Sequence, residues 1–451
     1  MINRSVWIMA VIVFVMSMLA ACSSSENNGV NKSSNNNETA TTEEDWDEME
    51  ADVVIYGQML PSVWDERFGS TLKDHFPNYK FEFISAYDEG DQVGMDIAEM
   101  VAAGVKPDIY TGRVGSLQQR FMTAGLHTPM NEWMEKHGVD LDRFESQYFD
   151  SVSSEDGDIY MLPITNDGYV MYYNEALFDR FGLEHPTDGM SWDETIELAN
   201  DFTRNQDGKQ YVGLWYSPKH IMRVAQKSLN FVDPDTREPL LDSDDWHEWI
   251  SKLFYEPMRN PGLQERAREE YFGHDDFRSD DVVGMYVYTT GWIRNHQSEL
   301  PSDWNIVSVP TFDHDGVGVQ PYAEYFGLAS TSSSPDAAMR VLKYLTDEEF
   351  QTEFSRNGFM TPLKSQTVRD ELYANIEGLD DKNIQSIFYN DLAPQRNITT
   401  FDEIVLEGPL HEEILTSLVR GLAEVNEAMQ KAMDISRQAI EQEVLRLEAG
   451  E

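Results

Sequence analysis

One stretch constrains the fold of this chain more than any other: Asp158 to Gly182, reading DIYMLPITNDGYVMYYNEALFDRFG. It opens behind a turn at Asp156-Gly157. A short apolar run follows, Ile159 to Ile164, carrying Pro163. Thr165-Asn166-Asp167-Gly168 is a polar break. A second apolar run, Tyr169 to Tyr173, leads into an amphipathic helix with Ala176, Leu177, Phe178 and Phe181 on its apolar side, closed by Gly182. The pattern reads strand, break, strand, helix. Pro163 cannot donate to a β-ladder, which suits a strand end or an edge strand. A break of this kind in the first half of a 451-residue chain is where the backbone can pass from one lobe to another. That length is too great for one hydrophobic core, so two lobes are expected.

Strand and helix signals alternate on either side of this stretch. Val53 to Tyr56 reads as a buried strand and Val63 to Phe76 as a helix. Phe81 to Ala86 is a second strand, residues 92 to 103 a helix bearing Val93, Ile97, Met100 and Val101, and Ile109-Tyr110 a third strand. Further along, strands are expected at Tyr211 to Tyr216, Val282 to Tyr288, Trp304 to Pro310 and Tyr325 to Ala329. Ser191 and Glu194 form a capping-box signal for a helix reaching Phe202. Ile414, Leu418, Leu422, Val425 and Met429 read as one apolar helical stripe facing a core. Such alternation implies a parallel α/β sheet, whose ligands bind beyond the carboxyl ends of the strands. In the first half those ends are Gly57-Gln58, Ala86-Tyr87-Asp88 and Thr111-Gly112-Arg113.

The N-terminus points to export. Arg4 precedes an apolar run from Val6 to Ala21, too short for a membrane span and normal for a signal peptide. The run ends Leu19-Ala20-Ala21-Cys22, which resembles a bacterial lipobox with Cys22 as the lipidated residue. Cys22 is the only cysteine, so no disulfide and no cysteine metal site is available. Residues 22 to 51 are rich in Ser, Asn, Thr and Glu, the composition of a disordered tether. Of the net charge of −47, −41 falls on residues 52 to 451, with 32 basic and 73 acidic side chains. So acidic a body excludes nucleic acid and anionic membrane surfaces as partners. It reads as adaptation to a saline or alkaline exterior, with capture of a cationic ligand as the alternative. No G-x-S-x-G, H-E-x-x-H, Walker A or dinucleotide-binding glycine fingerprint occurs, and the ten histidines lack ligand spacing. The chain is therefore not expected to be an enzyme or to hold a metal or cofactor, and a chance glycosidase carboxylate pair is the weaker rival.

Several segments, in order, carry a resemblance: Lys106-Pro107-Asp108-Ile109-Tyr110; Phe121 to Met130; Tyr160-Met161-Leu162-Pro163; Tyr172 to Phe178; Gly189 to Glu194; Gly284-Met285-Tyr286 with Gly291-Trp292; and Ser334 to Ala338. Together they resemble the family 1 extracellular solute-binding proteins of ATP-binding-cassette importers, the group that includes maltose-binding protein. The resemblance covers nearly all of residues 52 to 451. It implies a two-lobed periplasmic-binding-protein-like α/β fold with an interlobe ligand cleft, closed by a hinge. The first lobe would comprise 52–165 and 326–370, and the second 166–325 and 371–451, behind a signal at 1–21. Crossings are expected near Pro163 to Asp167, near Tyr322 to Phe326 and around 365 to 375.

The same resemblance implies a lipid-anchored monomer on the outer face of the cell membrane. It would deliver a small solute, an oligosaccharide by preference, to a permease; a sensor or a carrier of peptides or polyols are the alternatives. Arg113 would touch sugar with its planar fork, Asp167 would bond sugar hydroxyls, and Trp292 would stack on a sugar ring. Trp215 and Tyr216 fall where the family places contacts. Gln58, Trp64, Tyr87, Asp88, Tyr325 and Phe401 are further candidates. The segment Arg278-Ser279-Asp280-Asp281 stands where relatives often carry a Gly-Lys pair, which leaves the ligand open.

Overall fold

The computed structural model describes residues 48–90, 93–113, 115–269, 273–279 and 281–449. The signal segment, Cys22 and the tether as far as residue 47 lie outside the described residues. Everything below belongs to the compact unit Met49–Glu451. No helix among the described residues is long and apolar enough to cross a membrane.

Among the described residues, ten strands form two five-stranded sheets. In chain order they are β1 Ala51–Gly57, β2 Tyr79–Ser85, β3 Ile109–Arg113, β4 Leu162–Asn166, β5 Tyr169–Asn174, β6 Arg204–Gln206, β7 Lys209–Tyr216, β8 Val283–Thr289, β9 Trp304–Ser308 and β10 Ala323–Leu328. The first sheet has the order β2-β1-β3-β10-β4, the second β6-β7-β8-β5-β9. β1 runs parallel to β2 and β3, and β7 parallel to β8. In each sheet the fourth strand runs against its neighbours: β10 in the first, β5 in the second. β4 is an edge strand, where Pro163 costs no ladder bond.

Side-chain alternation divides the first sheet into two faces. Val53, Ile55, Ile109, Leu162, Ile164, Phe326 and Leu328 point to one core, shared with helices Pro335–Thr346 and Glu348–Arg356. Tyr56, Tyr110, Met161 and Tyr325 point to the other. The second sheet sits in one continuous core that also takes in the C-terminal helices, from Phe401 to Ile440.

The chain passes between the sheets at one knot of backbone bonds. β4 runs on through Thr165 and Asn166, so the break narrows to Asp167-Gly168. Asn166 N and Thr165 Oγ1 both donate to Met360 O, at 3.0 and 3.1 Å. Tyr322 N donates to Asn166 Oδ1 at 2.8 Å, and Asp167 N to Tyr322 O at 3.2 Å. Three passages of the chain, at 165–168, 322–323 and 360, thus meet at one point. A Cβ on Gly168 would lie 2.6 Å from Met360 Sδ, so any larger residue there must push the buried Met360 side chain aside.

Two local expectations are corrected. The helix expected from residue 92 begins only at Ile97, because Asp96 and Glu99 form a capping box there, and Val93 is exposed. The stripe from Ile414 to Met429 is not one helix. Gly421, at φ +67°, ends the first helix in a Schellman motif, with Leu422 N bonded to Ser417 O and Gly421 N to Leu418 O. Leu422 is therefore exposed, and a new helix runs Val425–Ala449.

Candidate functional site

The strand ends of the first sheet supply one wall of a cleft. β1 stops at Gly57 and leads through Gln58 and Met59 into a helix begun by Pro61. The Ser85 hydroxyl, at the end of β2, donates to Met59 O and accepts from Tyr87 N, both at 2.8 Å. That hydroxyl ties two strand-end loops together and holds Tyr87 on the rim, where its ring is 47% exposed. The helix after β1 widens into a π turn at Asp65–Gly69, which presents Arg67. Arg113 is the last residue of β3.

The opposite wall comes from the second sheet. β7 ends at Tyr216, and the helix Pro218–Arg223 that follows carries Arg223 at its end. β8 ends at Thr289, and the helix Gly291–His296 carries Arg294. Glu403 stands in the short helix Asp402–Val405, and Glu407 in the π turn Leu406–Leu410 after it. From the knot between the sheets come Tyr322 and Glu324. All of these but Arg294 border an inner chamber of about 550 Å³, lined by Gln58, Arg67, Tyr87, Arg113, Arg223 and Tyr322 among others. Val63 and Arg67 also line an outer chamber of about 1130 Å³, whose far wall holds Arg294, Asn295 and Phe359. The two chambers thus adjoin.

Charge in the cleft is dense and paired. Arg113 Nη2 lies 2.6 Å from Asp167 Oδ2. Burial disfavours both charges, but each outweighs that for the other: the Asp167 carboxyl is held below its usual range by Arg113, Arg294 and Arg67, and the Arg113 guanidinium shifts upward. Arg67 stands 3.8 Å from Glu324, whose carboxyl is raised by burial despite Arg113 and Arg67. Arg223 binds Glu403 at 2.6 Å and Glu407 at 3.1 Å, and Lys219 also pairs with Glu407. Phe359 carries Arg294 at 4.0 Å and Arg67 at 5.1 Å from its ring centroid. His220 lies beside these cations, and burial with Arg223 and Lys219 pushes its pKa down to about 4.

The cleft gathers only some of the residues expected there. Arg113, Gln58 and Tyr87 line the inner chamber, and Asp167 meets it through Arg113. Asp88 is exposed and accepts from Gly94 N at 2.7 Å, holding its own loop. Trp292 is not a stacking platform: it is 4% exposed, with Tyr286 and Phe277 stacked against it and Tyr172 edge-on at 5.3 Å, so no face is left for a ligand. Trp215 and Tyr216 are also core, lying parallel 5.6 Å apart. Tyr325 is fully buried, its hydroxyl donating to Tyr148 O at 2.8 Å. Trp64 stacks on Phe83 inside the first core, and Phe401 is buried against the second.

Arg67, Arg223, Arg294, Tyr322, Glu324 and Glu403 were not foreseen. For Arg223 and Arg294 a signal existed, since each follows the end of a parallel strand of the second sheet, where ligands gather. For Glu403, which comes from helices remote in sequence, there was none.

Comparison with known proteins agrees with this architecture. The family described as bacterial extracellular solute-binding protein matches residues 60–352. A putative binding protein of Brucella abortus is 21% identical over 276 residues, 56% of this chain and 62% of its own length. Thus the match spans less than two thirds of that relative. An ABC substrate-binding protein of Listeria monocytogenes, solved with cycloalternan, superposes with a TM-score of 0.66 at 16% identity, covering 87% of this chain and 99% of its own. A Mycobacterium tuberculosis protein in complex with glycerophosphocholine gives 0.63 at 16% identity, over 87% and 99%. At such identities the likeness is one of fold.

Proposed function

The chain belongs to the bacterial extracellular solute-binding proteins, and on that premise we propose that it captures a carbohydrate, an oligosaccharide rather than a single sugar, for an ATP-binding-cassette importer. The two lobes close about the knot at Asn166, Tyr322 and Met360, and the loaded protein hands its solute to a membrane permease. Lipidation at Cys22 would keep it on the outer face of the membrane, and the solute bound by the Listeria protein supports the carbohydrate class.

The observation that carries this reading is the composition of the cleft. Ligand sites for small molecules commonly measure about 300–1,000 Å³ and are mostly apolar. Here a chamber of about 550 Å³ is walled largely by guanidinium forks, carboxylates and an amide, with Tyr87 exposed at its rim, and it adjoins one of about 1130 Å³ where arginines and glutamates alternate with Tyr344, Phe350, Phe354 and Phe359. Planar forks and carboxylates bond vicinal hydroxyls, and an exposed ring covers the apolar face of a sugar. The combined volume of the two chambers suits a chain of several units.

A thermal-shift screen of the purified chain against a panel of mono- and oligosaccharides tests the reading. A ligand at about 100 times its Kd adds roughly 2.7 kcal/mol and should raise the Tm by several degrees. A folded protein that responds to no sugar, while responding to peptides or polyols, overturns it.

A further inference from the structure

The cleft's charge is out of keeping with the rest of the molecule. The chain has 81 acidic and 34 basic side chains. The inner chamber holds equal numbers, Arg67, Arg113 and Arg223 against Glu324, Glu403 and Glu407. Arginine supplies 21 of the 34 basic side chains, and holding three of them half-buried at one place costs solvation. Their concentration at one point calls for a ligand that uses them.

Two of them are placed to act together. Arg113 ends a strand of the first lobe, and Arg223 ends a helix of the second. Tyr322, at the knot, borders both: its ring centroid is 4.2 Å from the guanidinium carbon of Arg113 and 5.9 Å from that of Arg223. The two cations, one from each lobe, are therefore no more than about 10 Å apart. A carboxylate bridging two guanidiniums through charge-assisted bonds of about 2.8 Å spans on the order of 8 Å from carbon to carbon.

Donors remain for it. Arg113 bonds Asp167 through Nη2, and Arg223 bonds Glu403 and Glu407 through Nε and Nη2, so neither fork's five N–H groups are exhausted by the bonds found among the described residues. The existing carboxylates hold both forks in place before a ligand arrives. The field of the distant acids does not decide the matter. At physiological salt it is screened beyond about 8 Å, while contacts at bonding distance are not.

We propose that the inner chamber takes its solute by a carboxylate seated between Arg113 and Arg223 over the ring of Tyr322, so that the captured oligosaccharide is acidic, built with hexuronate units. This rests on the carbohydrate reading of the same cleft and sharpens it.

Calorimetric titration of the purified chain tests it. The probes are trisaccharides containing galacturonate, glucuronate or mannuronate, each beside its neutral counterpart, with citrate as a carboxylate that is not a sugar. The expected result is one acidic trisaccharide binding at least about tenfold more tightly than its neutral partner, with Arg223→Gln abolishing that preference. If a neutral trisaccharide binds as tightly as its acidic partner, the inference fails and the carbohydrate function stands. If only citrate binds, the carbohydrate function fails and the carboxylate seat is upheld. If a folded protein binds none of these, both fail. The comparison within the unmodified protein needs no variant, so misfolding of Arg223→Gln would not rescue the proposal.

Discussion

The two lobes share a plan and differ in what they do with aromatic rings. Each is a five-stranded sheet whose fourth strand runs backwards just after the chain has crossed. In the first lobe the sheet separates two cores of moderate size. In the second, one core wraps the sheet and swallows the C-terminal helices, and six of the ten tryptophans, Trp192, Trp215, Trp246, Trp249, Trp292 and Trp304, are inside it. The second lobe thus spends its largest rings on its own packing. The rings that line the inner chamber are tyrosines, Tyr87 from the first lobe's rim and Tyr322 from the knot. An aromatic residue at a strand end is therefore a poor indicator of a binding site where the lobe behind it is thick enough to bury it.

The largest effect that could break this comparison is at Trp292. Trp292→Ala should lower stability by about 3–5 kcal/mol, as for a buried tryptophan elsewhere, measured by urea unfolding. A folded variant of unchanged stability that has lost only ligand affinity would return Trp292 to the cleft. Next comes the knot. Asp167→Asn leaves the half-buried Arg113 without its anionic partner and should cost about 1–3 kcal/mol, with both lobes destabilised together because the bond lies between them. Two separated unfolding transitions in the variant, against one in the parent, would sharpen the picture of the knot as the coupling element.

Acid should act first through histidines whose pKa burial lowers, His127 and His137 in the first lobe and His220, His274 and His411 in the second, with His220 shifted far. His220 titrates near 4 in the fold against an ordinary value of 6.5, so the stability owed to its neutral ring is complete above pH 6.5 and lost as pH falls toward 4. Asp167, depressed in the fold, contributes above the ordinary carboxylate range and fails only below it. Unfolding free energy should therefore decline between pH 6.5 and 4, and His220→Gln should flatten that decline. An equal slope in the variant would assign the loss elsewhere.

Tyr87→Ala, at the exposed rim, should change stability by less than about 0.5 kcal/mol yet weaken binding of the cognate sugar roughly tenfold, read by calorimetry. Equal affinity would leave the first lobe without its aromatic platform. The smallest effect is global: raising salt from about 0.05 M to about 1 M should raise the Tm by a few degrees, because screening relieves the self-repulsion of the acidic body.

Much of this was legible in the chain itself. The stretch from Asp158 to Gly182 announced strand, crossing, strand and helix, and the fold has β4, the crossing at Asp167-Gly168, β5 and the helix Glu175–Phe181 there. Gly182 at φ +66° and the capping box at Ser191 and Glu194 are local chemistry, decided within a few residues. Of the candidate cleft, the places of Arg113, Gln58 and Tyr87 were readable because they stand at or just past the ends of the parallel strands β3, β1 and β2. Trp292, Trp215, Tyr216 and Tyr325 misled for a different reason: they stand at or near strand ends too, and only the depth of packing behind them separates core from platform.

Periodicity, caps and turns act over a few residues, so the sequence alone determined the strands, most helices, the two-sheet plan and the place where the chain crosses. Which side chains face the cleft was settled by contacts between segments hundreds of residues apart. Arg223 meets Glu403, and Asn166 meets Met360. Burial and pairing are properties of the assembled surface, and no local pattern encodes them.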